Sequence, residues 1–504
     1  MKNRCWFDTF LWVVLLLLSL FLGICLRMPS YGAKPEPYII LDEHTNVWHG
    51  LSLRATGIPT AWSILPVYKN DSITMGAGGP LDGFNLSVDG RKPTLANFSS
   101  FPKPVIGVHE FDFGRGISQT QLVQPYLDHP PFGAVVLSLF VSKNVKMFAD
   151  VNNADLRRSA VVLAIVTQTL IFVLALLVTR RPLIGIIAST VYATVPSYIL
   201  MSRYALLENV MSPLILSGTI LLILARSRLE HEKTDKLFNS LILLAGVFGG
   251  LTALTKLTGW IFILGSVILL YLWKFKLKQI LVYAIPAIFI GVLYFAWGFY
   301  LSPKLFMDLL LLQSGRDFIG SINLLITFFR ISIFNFPLDG WWIGGFIALL
   351  FIPRKKEFLP VIVLVVAGLF SALGISGANY PWYFIPLIPF MAIAIAVFFH
   401  NLAIKPTFLS ILVTFFVFVS SSFYWGYGVF QKIQPFMIYR LMFLIFVAMG
   451  GFWALARKTD RYKNVWYLGV IALLIILAIL NRRSVFFILT NWGKLPLIYT
   501  PGTF

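Results

Sequence analysis

The chain has 504 residues, of which 58% are hydrophobic and only 12% are charged, whereas charged residues make up about 25% of an ordinary soluble domain. This composition excludes a water-soluble globular protein. The apolar residues form long unbroken runs, and a membrane β-barrel would instead alternate apolar and polar residues. We therefore predict an all-α polytopic membrane protein.

The charge balance is strongly basic, with 41 Lys and Arg against 21 Asp and Glu and a formal net charge of +20. In a soluble chain this excess would suggest nucleic-acid binding. Here the basic residues form short clusters between the apolar runs, which is the positive-inside pattern of membrane proteins. Such clusters meet anionic headgroups, so we expect membrane lipids and no nucleic acid as partners.

The first apolar run follows a basic Met-Lys-Asn-Arg start and is interpreted as a retained signal anchor. A long polar stretch comes next, and near its end the apolar piece Pro131 to Ser142 is too short to cross about 30 Å of hydrocarbon. If this piece is an interfacial helix on the outer surface, the main positive clusters fall on the cytoplasmic side. That arrangement predicts about thirteen spans, with the pair Arg482-Arg483 as an exception.

The chain then divides into five parts. In the long polar stretch after the first apolar run, residues 76–116 are rich in Gly, Pro, Asn and Asp. This composition predicts turns and a hairpin without an independent core. The parts are a first transmembrane helix (1–26), an outer loop with interfacial helices (27–156), a membrane core with outer loops (157–400), C-terminal transmembrane helices (401–481) and a short tail (482–504).

In this topology the unusual polar residues gather on the outer side. Ionisable groups at the edge of the hydrocarbon are costly unless they are paired or hydrated, so their common face is a candidate functional site. A carboxylate there could take a proton from a hydroxyl, and ammonium or guanidinium groups suit a phosphate leaving group. The candidate residues are Asp42, Glu43, Asp128, His129, Arg203, Glu208, Lys256 and Tyr380.

These motifs, in this order and on one face, resemble those of the membrane glycosyltransferases of the C superfamily. The similarity is greatest to the protein O-mannosyltransferases and the lipid A aminoarabinose transferases, whose donors are polyprenyl-phosphate sugars. It covers roughly the first four fifths of the chain. The motifs that carry it are Asp42-Glu43, Asp128-His129-Pro130-Pro131, Arg203 to Glu208, Leu254 to Gly259, and Tyr380 to Pro389.

The resemblance implies active-site motifs in the outer loop (27–156) and donor-binding outer loops in the membrane core (157–400). It also implies a role for each of these residues. Asp42 would be the catalytic base. Glu43, Asp128, His129 and Glu208 would contact the substrates, and Arg203, Lys256 and Tyr380 would lie near the lipid phosphate of the donor. No metal ligand and no certain cofactor is implied, and a divalent cation is left open.

Ordinary structural roles are alternatives for the same residues. Asp42 and Glu43 could simply favour a helix N-terminus, and His129 with the two prolines could form a rigid turn. Arg203 and Lys256 could be interfacial anchors, and Tyr380 could belong to the aromatic belt. A trio in the loop, His109, Glu110 and Asp112, offers metal ligands, but a hydrated loop is the preferred interpretation.

The sequence therefore predicts an inverting glycosyltransferase. It would move a single sugar from an undecaprenyl- or dolichyl-type phosphate to a hydroxyl acceptor on the outer face of a membrane. The membrane would be the prokaryotic cytoplasmic membrane, or that of the endoplasmic reticulum in a eukaryote. The alternative is a transporter or flippase of lipid-linked sugars, which would need cations for the phosphate but also broken helices or repeats near the bilayer midplane.

Overall fold

The computed structural model describes most of the chain. Its described residues are 2–34, 41–63, 65, 67–68, 111–112, 117–118, 121–142, 145, 151–232, 235–314, 332–333, 336–337, 340–374, 381–421, 424, 435–456 and 460–491.

The chain is an integral membrane protein built from helices. An unsatisfied backbone N–H or C=O is costly in hydrocarbon, so apolar runs of this length fold as helices that satisfy these groups internally. Within the described part of the chain, seven helices are long and apolar enough to cross a membrane, and five shorter apolar helices accompany them. The seven are Thr9–Arg27, Asn153–Thr179, Leu207–Glu230, Lys236–Thr255, Leu277–Leu301, Trp382–Ile404 and Lys463–Thr490.

The helices are numbered here in chain order. They are α1 (Lys2–Arg27), α2 (Leu41–Thr56), α3 (Pro131–Ser138), α4 (Asn153–Thr179), α5 (Pro182–Thr194), α6 (Pro196–Met201), α7 (Leu207–Glu230), α8 (Lys236–Thr255), α9 (Trp260–Leu272), α10 (Leu277–Leu301), α11 (Pro303–Ser314), α12 (Gly340–Leu349), α13 (Leu359–Gly374), α14 (Ile388–Ile404), α15 (Phe408–Val413), α16 (Pro435–Ala456) and α17 (Asp460–Thr490). Short 3₁₀ turns cover Leu257–Gly259, Lys356–Phe358 and Pro381–Leu387, and a π-helical turn covers Thr414–Val419.

Short antiparallel strand pairs lie in the loops. Strand β1 (Ala61–Ser63) pairs with β4 (Gln121–Val123), with Ala61 opposite Val123. Strands β2 (Phe111–Asp112) and β3 (Ile117–Ser118) form a second pair, and β5 (Ser332–Ile333) and β6 (Phe336–Pro337) a third. The β1–β4 pair closes the base of the long first loop.

The span that contains α14 forms the centre of the bundle. In this span, Trp382–Ile404, 94% of the apolar window is buried, against 17% for Thr9–Arg27 and 22% for Leu277–Leu301. The exposed side chains of the peripheral spans are large and apolar, such as Phe21 and Phe289. These surfaces suit contact with lipid chains, while the bundle interior supports the polar face described below.

Helices α2 and α3 pack against each other beside the start of α4. The approach is close: a Cβ added at Gly50 of α2 would lie 1.9 Å from the backbone oxygen of Ala134 in α3. Gly133 of α3 similarly abuts Thr255 at the end of α8, where an added Cβ would lie 2.5 Å from Cγ2. Helix α3 thus joins the first loop to the end of a membrane span.

The predicted fold class is confirmed, with several differences in detail. The count of thirteen spans stays a prediction. Helix α3 ends at Ser138 rather than Ser142, and its eight residues extend only about 12 Å, too short to cross the hydrocarbon. Helix α17 continues to Thr490, so Arg482 and Arg483, which the sequence assigns to a tail after the last span, lie inside the helix.

Helix α4 separates two ends of the molecule. Its 27 residues extend about 40 Å, comparable to a bilayer with its headgroups. We call the end near α2 the Asp42 face and the end near Arg180 the opposite face.

We expect single cysteines at Ile58 and Lys355, in a chain with Cys5 and Cys25 changed to serine, to react with an impermeant thiol reagent from different sides of sealed vesicles. Both positions are exposed, Ile58 beside α2 and Lys355 near Arg180. Labelling of both positions from one side would contradict the assignment of the two faces.

Candidate active site

The first turn of α2 carries two neighbouring carboxylates in different environments. Asp42 is half-buried, whereas Glu43 is fully buried. Both are favoured at the N-terminal end of a helix by its dipole. Successive helical residues point about 100° apart, so the two side chains face different surroundings.

Glu43 forms a bidentate ion pair with Arg157 in the first turns of α4. Nε of Arg157 donates to Oε1 of Glu43 and Nη2 donates to Oε2, each over 2.7 Å. The backbone N–H of Ala205 also donates to Oε1 over 3.0 Å. The remaining Nη1 of Arg157 donates to the carbonyl of Tyr31 over 3.0 Å. Glu43 therefore ties α2 to α4 and to the loop before α7, and its oxygens are occupied by protein donors.

Arg203 lies beside this pair in the loop between α6 and α7. Its guanidinium is fully buried, and Nη2 donates to the carbonyl of Pro29. Burial, with repulsion from Arg157 and Arg27, lowers the pKa of Arg203 to about 9. Its Nε and Nη1 find no hydrogen-bond acceptor among the residues that the structure describes. Buried guanidinium donors of this kind favour a nearby anion.

Asp128 is held in a hydrogen-bonded network at the end of the first loop. It accepts hydrogen bonds from the hydroxyls of Ser63, over 2.5 Å, and Tyr68, over 2.6 Å. Burial, followed by the charge of Asp128, raises the pKa of Tyr68 well above its ordinary value. The hydroxyl of Tyr294 in α10 donates to the carbonyl of Leu127 over 2.6 Å. The network thus fixes the loop just before His129, which is half-buried near the ring of Tyr126.

Lys256 ends α8 and forms an ion pair with Glu208 of α7. Both side chains are buried, and Nζ of Lys256 lies 4.6 Å from the ring centroid of Tyr383. Burial acts to lower the pKa of Lys256. The negative charge of Glu208, with a contribution from Asp42, outweighs burial, so the pKa of Lys256 lies above its ordinary value. The ammonium therefore stays charged at a site from which bulk water is largely excluded.

Asp42 links the two halves of the candidate site electrostatically. Its charge acts on Lys256 and also on Tyr126, whose pKa lies well above its ordinary value because of burial, Asp128 and Asp42. The structure thus brings Asp42, Asp128, Lys256 and Glu208 to one face of the membrane core. Arg203 and Glu43 lie behind it around Arg157.

Some sequence-based expectations are not addressed by the described residues. Tyr380 lies outside them, although its neighbour Tyr383 contacts Lys256. His109 and Glu110 also lie outside them. No group of three His, Cys, Asp or Glu side chains that could hold a metal occurs in the described part of the chain. The roles of the individual site residues and the divalent cation stay predictions.

The sequence interpretation overlooked Arg157, Tyr68 and His49. Arg157 begins a span on the predicted outer side, together with Arg158, and so runs against the positive-inside pattern. This exception to the pattern could have identified Arg157 as a candidate site residue from the sequence. Tyr68 and His49 carry no comparable pattern, because their partners are distant in the sequence.

We expect Glu43→Gln or Arg157→Met alone to destabilise the protein by about 3–5 kcal/mol, since each leaves a buried charge without its partner. The double variant should lose clearly less stability than the sum of the losses in the two single variants, because no unpaired charge remains. Thermal unfolding in detergent micelles measures both. The matched control is the next pair, Asp155 and Arg158, which is exposed and should contribute far less to stability because solvent screens it. Equal effects at the two pairs would contradict the buried clamp.

His49 gives a second prediction, because it lies two helical turns after Asp42 and is fully buried. Its ring is 5.0 Å from that of Tyr126 and stacks on Trp297. Burial lowers the pKa of His49 from 6.5 to about 3. Between these values the unfolded chain binds a proton that the folded chain does not, so stability is full above pH 6.5 and falls as the pH drops toward 3.

The variant His49→Phe keeps an aromatic ring but cannot titrate. As the pH is lowered from 7.5 to 5, the parent loses stability and the variant does not. The free energy of unfolding of the variant relative to the parent should therefore increase by about 2 kcal/mol, at about 1.36 kcal/mol per pH unit below 6.5. Unfolding temperatures of both proteins across this range provide the measurement. A difference that does not change with pH would show that His49 is accessible to protons in the folded state.

Comparison with known families gives a match over the middle of the chain. Residues 127–309 match the dolichyl-phosphate-mannose-protein mannosyltransferase family. This segment contains Asp128, Arg203, Glu208 and Lys256 but not α2 with Asp42. No curated protein matches the chain by sequence.

A solved structure shares the fold. ArnT from Cupriavidus metallidurans bound to undecaprenyl phosphate aligns with a TM-score of 0.50 and 15% identity, covering 95% of this chain and 77% of that one. The apo form of the same protein aligns with a TM-score of 0.48 and 15% identity, covering 96% and 78%. The Archaeoglobus fulgidus oligosaccharyltransferase AglB, in complex with an inhibitory peptide and a dolichol-phosphate, aligns with a TM-score of 0.45 and 13% identity, covering 95% and 56%.

The motifs of the sequence, the family match over residues 127–309 and the fold shared with ArnT all agree. They confirm the resemblance predicted from the sequence: residues 127–309 are similar to the protein mannosyltransferases, and the fold of this membrane protein is similar to that of ArnT.

Proposed function

We propose that the protein is an inverting glycosyltransferase that moves a single sugar from a polyprenyl phosphate to a hydroxyl acceptor. The reaction would take place on the Asp42 face, which we assign to the outside of the membrane. The proposal rests on the different environments of the two neighbouring carboxylates in α2. Asp42 is half-buried and its charge acts on Lys256, whereas Glu43 is buried and accepts hydrogen bonds from Arg157 and Ala205.

The choice of Asp42 as general base follows from this contrast. A base must be able to reach and accept the proton of the attacking hydroxyl. Both oxygens of Glu43 already accept strong hydrogen bonds from Arg157, so a proton there would break a buried ion pair. Asp42 keeps partial access to solvent, and its helix is held by the Glu43 clamp. In this proposal Glu43 positions the base.

The phosphate of the donor would be bound near Lys256. An ammonium group has three donors, and Glu208 directs Lys256 without exhausting them. The phosphate of the donor is a diester with a single negative charge, and at this pair it would meet a cation already dehydrated by burial, which strengthens their attraction. Arg203, buried behind this face beside Arg157, has two guanidinium donors that lack acceptors among the described residues, and its charge would add to the attraction for the phosphate. These cations would stabilise the negative charge that develops on the leaving group.

The proposed reaction is a single displacement. The acceptor oxygen attacks the anomeric carbon and forms the new glycosidic bond, while the bond from that carbon to the phosphate oxygen breaks. The acceptor proton goes to the Asp42 carboxylate, and the electron pair of the broken bond leaves with the lipid phosphate. Attack opposite to the leaving group inverts the anomeric centre.

The comparisons support the choice of donor class. The family that matches residues 127–309 is named for dolichyl-phosphate-mannose donors, and ArnT was crystallised with undecaprenyl phosphate. We accordingly propose that residues 27–156 supply the base and the acceptor side and that the membrane core, residues 157–400, supplies the donor side.

The variant Asp42→Asn tests the proposal most simply. It keeps the shape of the side chain but cannot accept the proton, so transfer from a radiolabelled polyprenyl-phosphate hexose should fall by roughly 10²- to 10⁴-fold. Binding of the donor should be unchanged. Asp155→Asn, an exposed carboxylate in the first turn of α4, is the matched control and should transfer normally.

Retention of transfer within about tenfold of the parent, under conditions where chemistry limits the rate, would exclude Asp42 as the base. Movement of the labelled lipid between leaflets without release of lipid phosphate would instead favour the flippase alternative.

A further inference from the structure

A second polar site lies at the opposite face of the bundle. A cavity of about 460 Å³ opens there between the end of α4, the start of α5, the end of α14 and the segment before α13. This volume is within the range of ligand-binding pockets, roughly 300–1,000 Å³. The cavity lies at the far end of α4, about 35 Å from Arg157 by the rise of the helix, and is separate from the candidate active site.

The charges that line the cavity are mostly positive. Four cations surround it, and Glu357 is the one carboxylate among its lining residues. None of the four forms an ion pair with a carboxylate among the residues that the structure describes. The cations are Arg180, Arg181, Lys355 and Lys405.

The geometry of the cations suits a phosphate group. Arg180 caps the end of α4 in the left-handed conformation, with φ 56°, so the chain turns there and the next residue, Arg181, directly precedes α5. Arg181 donates from Nη1 to Nε2 of His400 on α14, which joins α5 to α14 across the cavity. Guanidinium groups bind phosphate oxygens in a bidentate manner, and ammonium groups add point charges.

The position of the cavity favours a lipid over a free ion. Its walls include the ends of two helices long enough to span the membrane, Asn153–Thr179 and Trp382–Ile404. The rim residue Ile404 is 48% exposed, and further along the chain Phe408 and Leu409 are also exposed. Apolar side chains beside a ring of cations at the membrane edge provide for an acyl or isoprenoid chain as well as a headgroup.

We propose that this cavity binds the phosphate monoester headgroup of a lipid in the leaflet opposite to the candidate active site. A monoester carries close to two negative charges near neutral pH, which matches a cavity lined by four cations and one carboxylate. The site would hold an anionic lipid at the interface and is independent of the transfer reaction proposed for Asp42.

Native mass spectrometry of the full-length protein in detergent tests the proposal, with dioleoyl phosphatidic acid as the probe. The variant Arg181→Gln/Lys405→Gln should bind the probe at least about tenfold more weakly than the parent, since each charge-assisted contact contributes more than a neutral one. The variant Arg180→Gln/Lys355→Gln should behave alike. Lys256 is intact throughout, so any binding at the Asp42 face is common to all proteins.

The matched control is Lys236→Gln/Lys278→Gln, which removes two exposed cations from the same face outside the cavity. It should bind phosphatidic acid like the parent, within about threefold. Equal weakening in the control would show general attraction to a basic surface and overturn the proposal. Displacement of the lipid by equimolar inorganic phosphate would overturn it as well, because the cavity would then bind a free ion. Dioleoyl phosphatidylcholine, with the same chains but no net charge, should not compete.

Discussion

The buried ion pair of Glu43 and Arg157 is the interaction on which the candidate active site depends. Two hydrogen bonds of 2.7 Å and a third from Ala205 connect α2, α4 and the loop that carries Arg203. A pair with this burial is costly to form from solvated ions, and its desolvation is offset only by good geometry and additional hydrogen bonds. Such a pair adds little net stability relative to apolar residues, but it defines the position of α2 and therefore of Asp42.

The second constraint is the distribution of charge along the membrane normal. On the Asp42 face, cations are buried and several have carboxylate or carbonyl partners, as Lys256 has in Glu208. On the opposite face the cations are exposed and surround an open cavity. Positive residues that follow the positive-inside pattern orient the protein in the membrane. Positive residues that depart from this pattern, Arg157 above all, indicate a candidate functional site.

The sequence was sufficient for the fold class because long apolar runs have one economical solution in lipid. It was also sufficient for the candidate face, because the motifs from Asp42 to Lys256 fall on one side in a single topology. The resemblance selected Asp42 over Glu43, but the physical reason for their difference could not be found in the sequence, since it comes from Arg157, 114 positions away from Glu43. The Tyr68 and Ser63 hydroxyls that bind Asp128 were equally hidden. Contacts of this kind depend on tertiary packing, which no local pattern records.

In the proposed reaction Asp42 and Lys256 act on opposite sides of the anomeric carbon, Asp42 on the acceptor and Lys256 on the phosphate, and a structure with a donor analogue tests this most directly. In a complex with a polyprenyl phosphonate hexose that cannot transfer its sugar, our account predicts phosphonate oxygens about 2.7–3.2 Å from Nζ of Lys256. The anomeric carbon should face Asp42, and Glu43 should remain bound to Arg157. A phosphonate bound away from Lys256, or a Glu43 released from Arg157 to face the sugar in place of Asp42, would contradict the account.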